Sequence, residues 1–256
     1  MRRLICALAG SLLIAGCGGG IDSSLLATAV QQTENAGGAE IAFQLEMEAP
    51  GLSQPIVMTG GGVEDAKNRR GQLTFDMSAM AQLPGVGSVC GSGCDMTVVS
   101  DGSTVYVRSP LAASALGGRE WMKVDIERFG SATGVPTGGS GFQSAGEQLR
   151  MLGAADGDLT NEGRDQIRGE SATHYSLHVS VPGADDVPVD VWIDDQDRVR
   201  RVEVEQSSEQ GGIKVGVHMT MEYVRFGVPV DIDMPSEDDV FDATGLALQQ
   251  LNQAQP

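Results

Sequence analysis

Residues 213–223 read Ile-Lys-Val-Gly-Val-His-Met-Thr-Met-Glu-Tyr, so apolar side chains occupy every second position of this segment. Successive side chains of a β-strand point to opposite faces, and the alternation therefore predicts a strand with one apolar face and one wet face. The same period of two recurs in segments 41–48, 73–77, 103–108, 124–127, 174–181, 189–194 and 202–205. Turn-forming residues separate these segments at Pro50-Gly51, Asp101-Gly102, Pro182-Gly183, 195–197 and Gly211-Gly212.

These segments predict a fold of the α+β class. At least eight antiparallel strands with one apolar face form either one large curved sheet or an open barrel, and a closed sandwich is the alternative. Three helices are predicted: one capped by Ser23-Ser24 that runs through Thr33, one over residues 144–155, and one after Pro235. Ser236 would cap the third helix, and its apolar positions are Val240, Phe241, Leu246, Leu248 and Leu251. Residues 130–141 are rich in Gly, Ser and Thr and are predicted to form a loop.

The N-terminal segment predicts export and lipidation. Met1-Arg2-Arg3 is positively charged, and residues 4–14 form an apolar run that is too short to span a bilayer, which is the layout of a secretory signal peptide. The tetrad Ile14-Ala15-Gly16-Cys17 resembles the bacterial lipobox. This resemblance implies cleavage before Cys17 and acylation of its thiol. The predicted organisation is a signal peptide over 1–16, an acylated cysteine and flexible tether over 17–24, and a single domain over 25–256.

Charge and length restrict the function. The chain has 256 residues, with 35 acidic and 17 basic side chains and a net charge of −18. Removal of residues 1–16, which contain two arginines and no acids, leaves 15 basic and 35 acidic residues, a net charge of −20. This acidity argues against a nucleic-acid partner, because few cations are available to neutralise phosphates. The length suits one domain with a sizeable core.

The four cysteines have different predicted fates. Cys6 leaves with the signal peptide, Cys17 is the acylation site, and Cys90 and Cys94 remain in Cys-Gly-Ser-Gly-Cys. Outside the cytoplasm, two remaining cysteines favour a disulfide, so we expect Cys90 and Cys94 to pair. A catalytic redox pair is the alternative, although such pairs usually read Cys-x-x-Cys beside a helix.

The apolar face of the predicted sheet is a candidate ligand cavity. The predicted helices are few and short, so part of this face would stay uncovered, and its methionines are flexible enough to fit irregular apolar ligands. The alternative is that the methionines simply fill the core. The candidate cavity residues are Phe43, Leu45, Met47, Phe75, Met77, Leu177, Val179, Val191, Val215, Val217, Met219 and Met221.

Three segments resemble a known family. Residues 166–175, residues 189–194 with the following Arg198-Val199-Arg200, and residues 223–230 with Pro235 are similar to strands of actinobacterial LolA-like lipoproteins of the LppX/LprG group. The resemblance implies a LolA-like half-barrel of antiparallel strands, wrapped over helices around a hydrophobic cavity. It also implies binding of lipids or lipoglycans and their transport across the cell envelope, although some LolA-like domains act as sensors or scaffolds.

No catalytic or metal-binding pattern is found in the sequence. His174 and His178 lie on one predicted strand, about 13 Å apart at the usual rise of a strand, so they cannot share an ion. We expect these two and His218 to be solvated, with no cofactor, no metal and no enzymatic activity. The sequence therefore predicts a lipoprotein anchored to the extracytoplasmic face of the cell membrane, whose partners are that membrane and a lipid or other apolar ligand. A scaffold or sensor with a filled core is the alternative, and the protein partner is unknown.

Overall fold

The computed structural model describes residues 24–83, 94–110, 116–128, 145–153, 159–181, 184–210 and 213–245. The predicted signal peptide, Cys17, most of the tether, Cys90 and the predicted loop 130–141 lie outside these residues. The helices are α1 (Ser24–Asn35) and α2 (Ala145–Gly153), with 3-10 turns at Ser78–Gln82 and Glu237–Asp239. The strands are β1 (Ala39–Glu48), β2 (Ile56–Asp65), β3 (Arg70–Asp76), β4 (Asp95–Asp101), β5 (Thr104–Arg108), β6 (Trp121–Asp125), β7 (Thr160–Ile167), β8 (Glu170–Val181), β9 (Ala184–Asp194), β10 (Val199–Gln210), β11 (Ile213–Phe226) and β12 (Val240–Asp242).

All twelve strands belong to one sheet, in the order β12-β6-β5-β4-β3-β2-β1-β11-β10-β9-β8-β7. Neighbours are antiparallel except for β12 and β6, which are parallel. The prediction of a single large antiparallel sheet with few helices is therefore confirmed, and the chain does not form a sandwich over the described residues. No helix in the described part of the chain combines the length and apolarity needed to cross a bilayer.

The predicted helix after Pro235 is wrong over residues 237–242. This stretch forms a 3-10 turn and then strand β12, whose Val240 and Phe241 pair with Trp121 and Met122 of β6. Edge pairing to β6 satisfies backbone groups that a helix would have satisfied internally. Residues beyond 245 lie outside the described part.

Helix α1 packs against one face of the sheet, which we call the concave face, and the opposite face is called convex. Its Leu26, Ala29 and Val30 are buried, and they belong to the main core cluster together with residues of β1, β8, β9, β10 and β11. The hydroxyl of Thr33 donates to the carbonyl of Ala29 (2.7 Å) and accepts from the Val199 amide (2.8 Å). This bond fixes the C-terminal half of α1 to the start of β10, where the register with β9 shifts.

Helix α2 packs closely against α1. A Cβ atom at Gly153 would lie 2.8 Å from a methyl carbon of Val30, which is closer than real Cβ contacts. At the other end of α2, a Cβ atom at Gly146 would lie 2.7 Å from the Ala66 Cβ. The absence of side chains at these two positions allows the helix to approach both α1 and the end of β2.

Candidate ligand-binding site

The concave face of the sheet continues beyond the helices as an apolar surface. On this surface Leu45 of β1 lies between Met58 of β2 and Met219 of β11, and Met219 pairs in turn with Val204 of β10. All four side chains are partly exposed. We call this surface the apolar trough. It consists of these four residues together with Phe43 and with Met47 and Val217, which are the next pair along β1 and β11.

The same rows of side chains are buried closer to the helices. Phe43 separates the trough from Ile41, which is 1% exposed, and on β11 Met221 and Tyr223 are 1% and 2% exposed. Val202 of β10, opposite Met221, is also buried. The change from buried to partly exposed within two residues of one strand marks where the helical cover ends.

The predicted cavity residues therefore divide into two groups. Leu177, Val179, Val191 and Met221 lie in the packed core. Phe43, Leu45, Met47, Phe75, Val215, Val217 and Met219 are partly exposed. Met77 lies just past the end of β3, where its amide donates to the carbonyl of Cys94 (2.9 Å). Contact of these residues with a ligand stays a prediction.

Glycine in β2 shapes the side of the trough. Gly60 lies between Phe43 of β1 and Phe75 of β3 in the strand register. With no side chain on the central strand, the two rings meet across it, with centroids 5.7 Å apart. A Cβ atom at Gly60 would lie 2.7 Å from the Phe75 ring, so this position requires glycine.

A cleft lies where β9 and β10 separate, and most of its lining residues belong to the face of the sheet opposite the trough. Their pairing ends at Val189 and Val204, and the next residue of β9 is Pro188. Proline has no amide hydrogen to donate to a sheet ladder, so continued pairing with β10 is disfavoured there. The resulting cavity has a volume of about 540 Å³. Its lining residues are Glu46, Glu48, Asp186, Val187, Pro188, Glu205, Gln206, Ser207, Gly216, Val217 and His218.

The opposite, covered end of the concave face contains buried polar groups. Glu64 of β2 is 2% exposed, and its carboxylate accepts a hydrogen bond from the amide of Gly146 at the start of α2 (2.9 Å). Arg150 of α2 pairs with Glu34 of α1 at 2.6 Å. Burial, followed by the nearby carboxylates of Glu64 and Glu34, raises the pKa of Tyr223 well above its usual range. These contacts fix α2 over the core, and the periodicity of the sequence did not predict them.

The convex face carries ion pairs. Glu222 accepts hydrogen bonds from Nε of Arg168 (2.7 Å) and Nε of Arg201 (2.8 Å). Burial by itself raises the pKa of Glu222, but the hydrogen bonds from the two arginines outweigh burial and hold the pKa below its usual range. These pairs lie on the face opposite the trough and give the domain a charged outer surface.

The three histidines do not form a metal site. His178 and His218 are exposed, as predicted. The prediction is wrong for His174, whose ring stacks on Trp192 (centroids 4.3 Å apart) and whose Nε2 lies 2.6 Å from Asp190. Trp192 belongs to a small convex core that the strand pattern did not indicate. Within the described ranges, no group of three or more His, Cys, Asp or Glu side chains could hold a metal ion.

Comparison with known proteins finds two relatives in Streptomyces. A Streptomyces coelicolor protein named as a lipoprotein is 29% identical over 143 residues, which cover 54% of this chain and 47% of that protein. A 31.2 kDa protein from the rplA–rplJ intergenic region of Streptomyces griseus is 25% identical over 254 residues, covering 86% of this chain and 79% of that protein. The chain therefore spans about half the length of the first relative. No family model matches the chain.

Solved structures of similar architecture include two mycobacterial proteins. LprF from Mycobacterium bovis matches with a TM-score of 0.45 and 15% identity, over 84% of this chain and 96% of that one. The lipoprotein LppX of Mycobacterium tuberculosis matches with a TM-score of 0.45 and 15% identity, over 83% of this chain and 100% of that one. A LolA superfamily protein of Nitrosomonas europaea matches with a TM-score of 0.33 and 12% identity, over 84% and 96%.

LprF and LppX belong to the group that residues 166–175, 189–194 and 223–230 resemble. The similarity is one of fold and does not extend to a ligand.

Proposed function

We propose that this protein is a lipoprotein, anchored through Cys17 to the extracytoplasmic face of the cell membrane, that binds a lipid or other long apolar ligand in the apolar trough. The ligand would enter the trough by partition, because each methylene group transferred from water contributes about 0.8 kcal/mol. Release would require a better acceptor or a narrower trough.

The observation that carries the proposal is the uncovered half of the concave face. Leu45, Met47, Met58, Val217 and Met219 are partly exposed, although Ile41, Met221 and Tyr223 on the same face of β1 and β11 are buried. Contiguous exposed apolar surface on a domain usually marks a binding site.

The second candidate function is a scaffold that binds no ligand. It is favoured by the part of the same face that is filled by the protein's own side chains. Four of the predicted cavity residues, Leu177, Val179, Val191 and Met221, are buried members of the main core cluster. A domain that only displays its surface to a protein partner would need this core and no occupied trough.

Native mass spectrometry of the protein purified from membranes distinguishes the two candidates. For a lipid carrier we expect an additional non-covalent mass that is lost on extraction with organic solvent and restored by incubation with a lipid extract. The scaffold candidate predicts the bare protein mass in every preparation. Repeated absence of a bound species after reconstitution would contradict the proposal.

The anchor is tested separately by Cys17→Ala. Two acyl chains give stable membrane attachment, whereas the domain itself offers no comparable apolar anchor among the described residues. We expect the wild type in the membrane fraction and the variant in the soluble fraction. Cys6→Ala, which changes a cysteine expected to be removed, is the matched control and should leave the distribution unchanged.

A further inference from the structure

Arg200 occupies a β-bulge near the start of β10. The register of β10 with β9 shifts between Val199 and Arg201, so Arg200 is the extra residue of the bulge. The pairing of β10 with β11 begins only at Arg201. A bulge redirects a side chain away from the regular ladder. Here the guanidinium of Arg200 lies beside Phe226 of β11, with its Cζ 5.2 Å from the ring centroid.

This guanidinium is buried and has no carboxylate partner among the described residues. Arg200 is 5% exposed, and its Nε is buried without a hydrogen-bond partner. Its one hydrogen bond to a described residue is long, from Nη2 to the carbonyl of Val224 (3.4 Å). Contact with the Phe226 ring stabilises the charge but leaves the N–H of Nε unpaired. A buried charge that is neither paired nor fully hydrogen-bonded is costly and rare in folded proteins.

The carboxylate of Asp194, which lies near Arg200, is already engaged. It accepts hydrogen bonds from the amides of Gln196 and Arg198, both at 2.9 Å. It also accepts from Nε and Nη2 of Arg198, at 3.0 and 2.8 Å. A carboxylate offers about four acceptor positions, so these four donors leave Asp194 no capacity to bind Arg200.

The charges around Arg200 do not neutralise it. Burial is the main cause that holds the pKa of Arg200 below its usual range. The charge of Asp194 raises this pKa and that of Arg198 lowers it, while smaller contributions come from Glu170, which raises it, and Arg168, which lowers it. Within the described part of the chain, the fold therefore holds a buried positive charge that its neighbours compensate only in part.

We propose that Arg200 binds an oxyanion, which is either a free phosphate ion or the phosphate of a lipid head group. An arginine presents two parallel N–H groups that match two oxygens of a phosphate, and such charge-assisted hydrogen bonds are stronger than neutral ones. The ligand supplies the partner that Nε lacks. Phe226 and Val224, which contact the guanidinium, are partly exposed, so the group lies just beneath the surface. Arg198, with its Cζ 4.3 Å from the centroid of the same ring, adds a second positive charge.

This site is distinct from the apolar trough. Along β11 the buried Met221 and Tyr223 separate Phe226 from Met219 of the trough. The inference therefore goes beyond the proposed function, and the failure of either one leaves the other standing.

Isothermal titration calorimetry on the full-length protein in an uncharged detergent tests the proposal. The two probes are inorganic phosphate and glycerophosphoglycerol, the water-soluble head group of phosphatidylglycerol, each titrated in chloride buffer at constant ionic strength. We expect binding at one site per chain. Tighter binding of glycerophosphoglycerol identifies a lipid head group as the ligand, and tighter binding of inorganic phosphate identifies the free ion. The net charge of −18 disfavours non-specific binding of either anion.

Three variants assign the binding to Arg200. Arg200→Met replaces the guanidinium with an apolar chain and should weaken binding by about tenfold or more. Arg200→Lys keeps the charge without the parallel N–H groups and should also weaken binding. The matched control is Arg225→Met, because the Arg225 side chain is 69% exposed and paired with Glu40. Its affinity should change by less than about twofold, since exposed charges are screened.

Thermal unfolding followed by circular dichroism shows that each variant is folded and gives a second readout. A ligand that binds only the folded state raises the unfolding temperature. The bound probe should raise it for the wild type and Arg225→Met but not for Arg200→Met. If Arg200→Met does not fold, Arg200→Lys decides the question. Failure of both probes to bind the wild type, or unchanged affinity in the Arg200 variants, would overturn the inference.

Discussion

Two methionines on one strand offer a matched comparison of the covered and uncovered halves of the concave face. Met221 and Met219 lie two residues apart on β11 and face the same side of the sheet. Met221 is 1% exposed and lies between Phe43 and Val202, whereas Met219 is partly exposed. The same substitution at the two positions therefore removes the same atoms from different environments.

We expect Met221→Ala to lower the free energy of unfolding by about 3 kcal/mol, within the range of about 2–5 kcal/mol for truncation of a fully buried methionine. The loss combines transfer of the deleted atoms with the cavity left behind. Met219→Ala should lower the same quantity by less than about 1 kcal/mol, because much of the deleted surface already contacts solvent. Affinity for a neutral long-chain probe should fall up to about tenfold in Met219→Ala and change little in Met221→Ala.

Urea unfolding followed by circular dichroism measures the change in the free energy of unfolding for both variants. With a slope of about 2–3 kcal/mol/M, the midpoint of Met221→Ala should fall by about 1 M or more and that of Met219→Ala by less than about 0.5 M. Binding is measured in the absence of urea, where both variants are folded. Equal losses of stability, or loss of binding in Met221→Ala alone, would refute the distinction between a packed core and an open trough.

Two further predictions concern other parts of the domain. Glu222→Gln should lower the free energy of unfolding at pH 7 by about 2 kcal/mol, since it weakens charged hydrogen bonds from Arg168 and Arg201. Because the folded-state pKa of Glu222 lies below its unfolded value of about 4.3, this contribution is complete above that value and is lost as the pH falls through the folded pKa. Unfolding at pH 7 and pH 3 checks this: a difference between wild type and variant that does not shrink at pH 3 would count against it. Alkylation of the denatured, unreduced protein should leave Cys90 and Cys94 unmodified, as expected for a disulfide, and two alkylated thiols would exclude the pairing.

The strands in which apolar and polar residues strictly alternate could be predicted, because this alternation by itself indicates a strand with one buried face. Segments 41–48 and 213–223 lie next to each other as β1 and β11 in the centre of the sheet, and there the burial of one face dominates. Strand β2 was not predicted, because glycine occupies residues 60–62, where the alternation would otherwise show. Strand β7 was missed since it is an edge strand with mostly exposed polar side chains.

The division of the apolar face could not be predicted from the pattern. Met219 and Met221 are indistinguishable in the sequence, and the tertiary packing around β11 determines which of them is buried. The cleft had a signal that could have been used: Pro188 interrupts an alternating strand, and proline there disfavours a continuous ladder on both sides. The buried contact of Glu64 with the start of α2 joins positions 82 residues apart, which no local pattern indicates.

A crystal structure of the protein purified from membranes with its bound lipid tests the central claim most directly. We expect continuous density for an apolar chain along Phe43, Leu45, Met47 and Met219. A trough closed by the protein's own side chains, or a lipid bound only on the convex face, would contradict it.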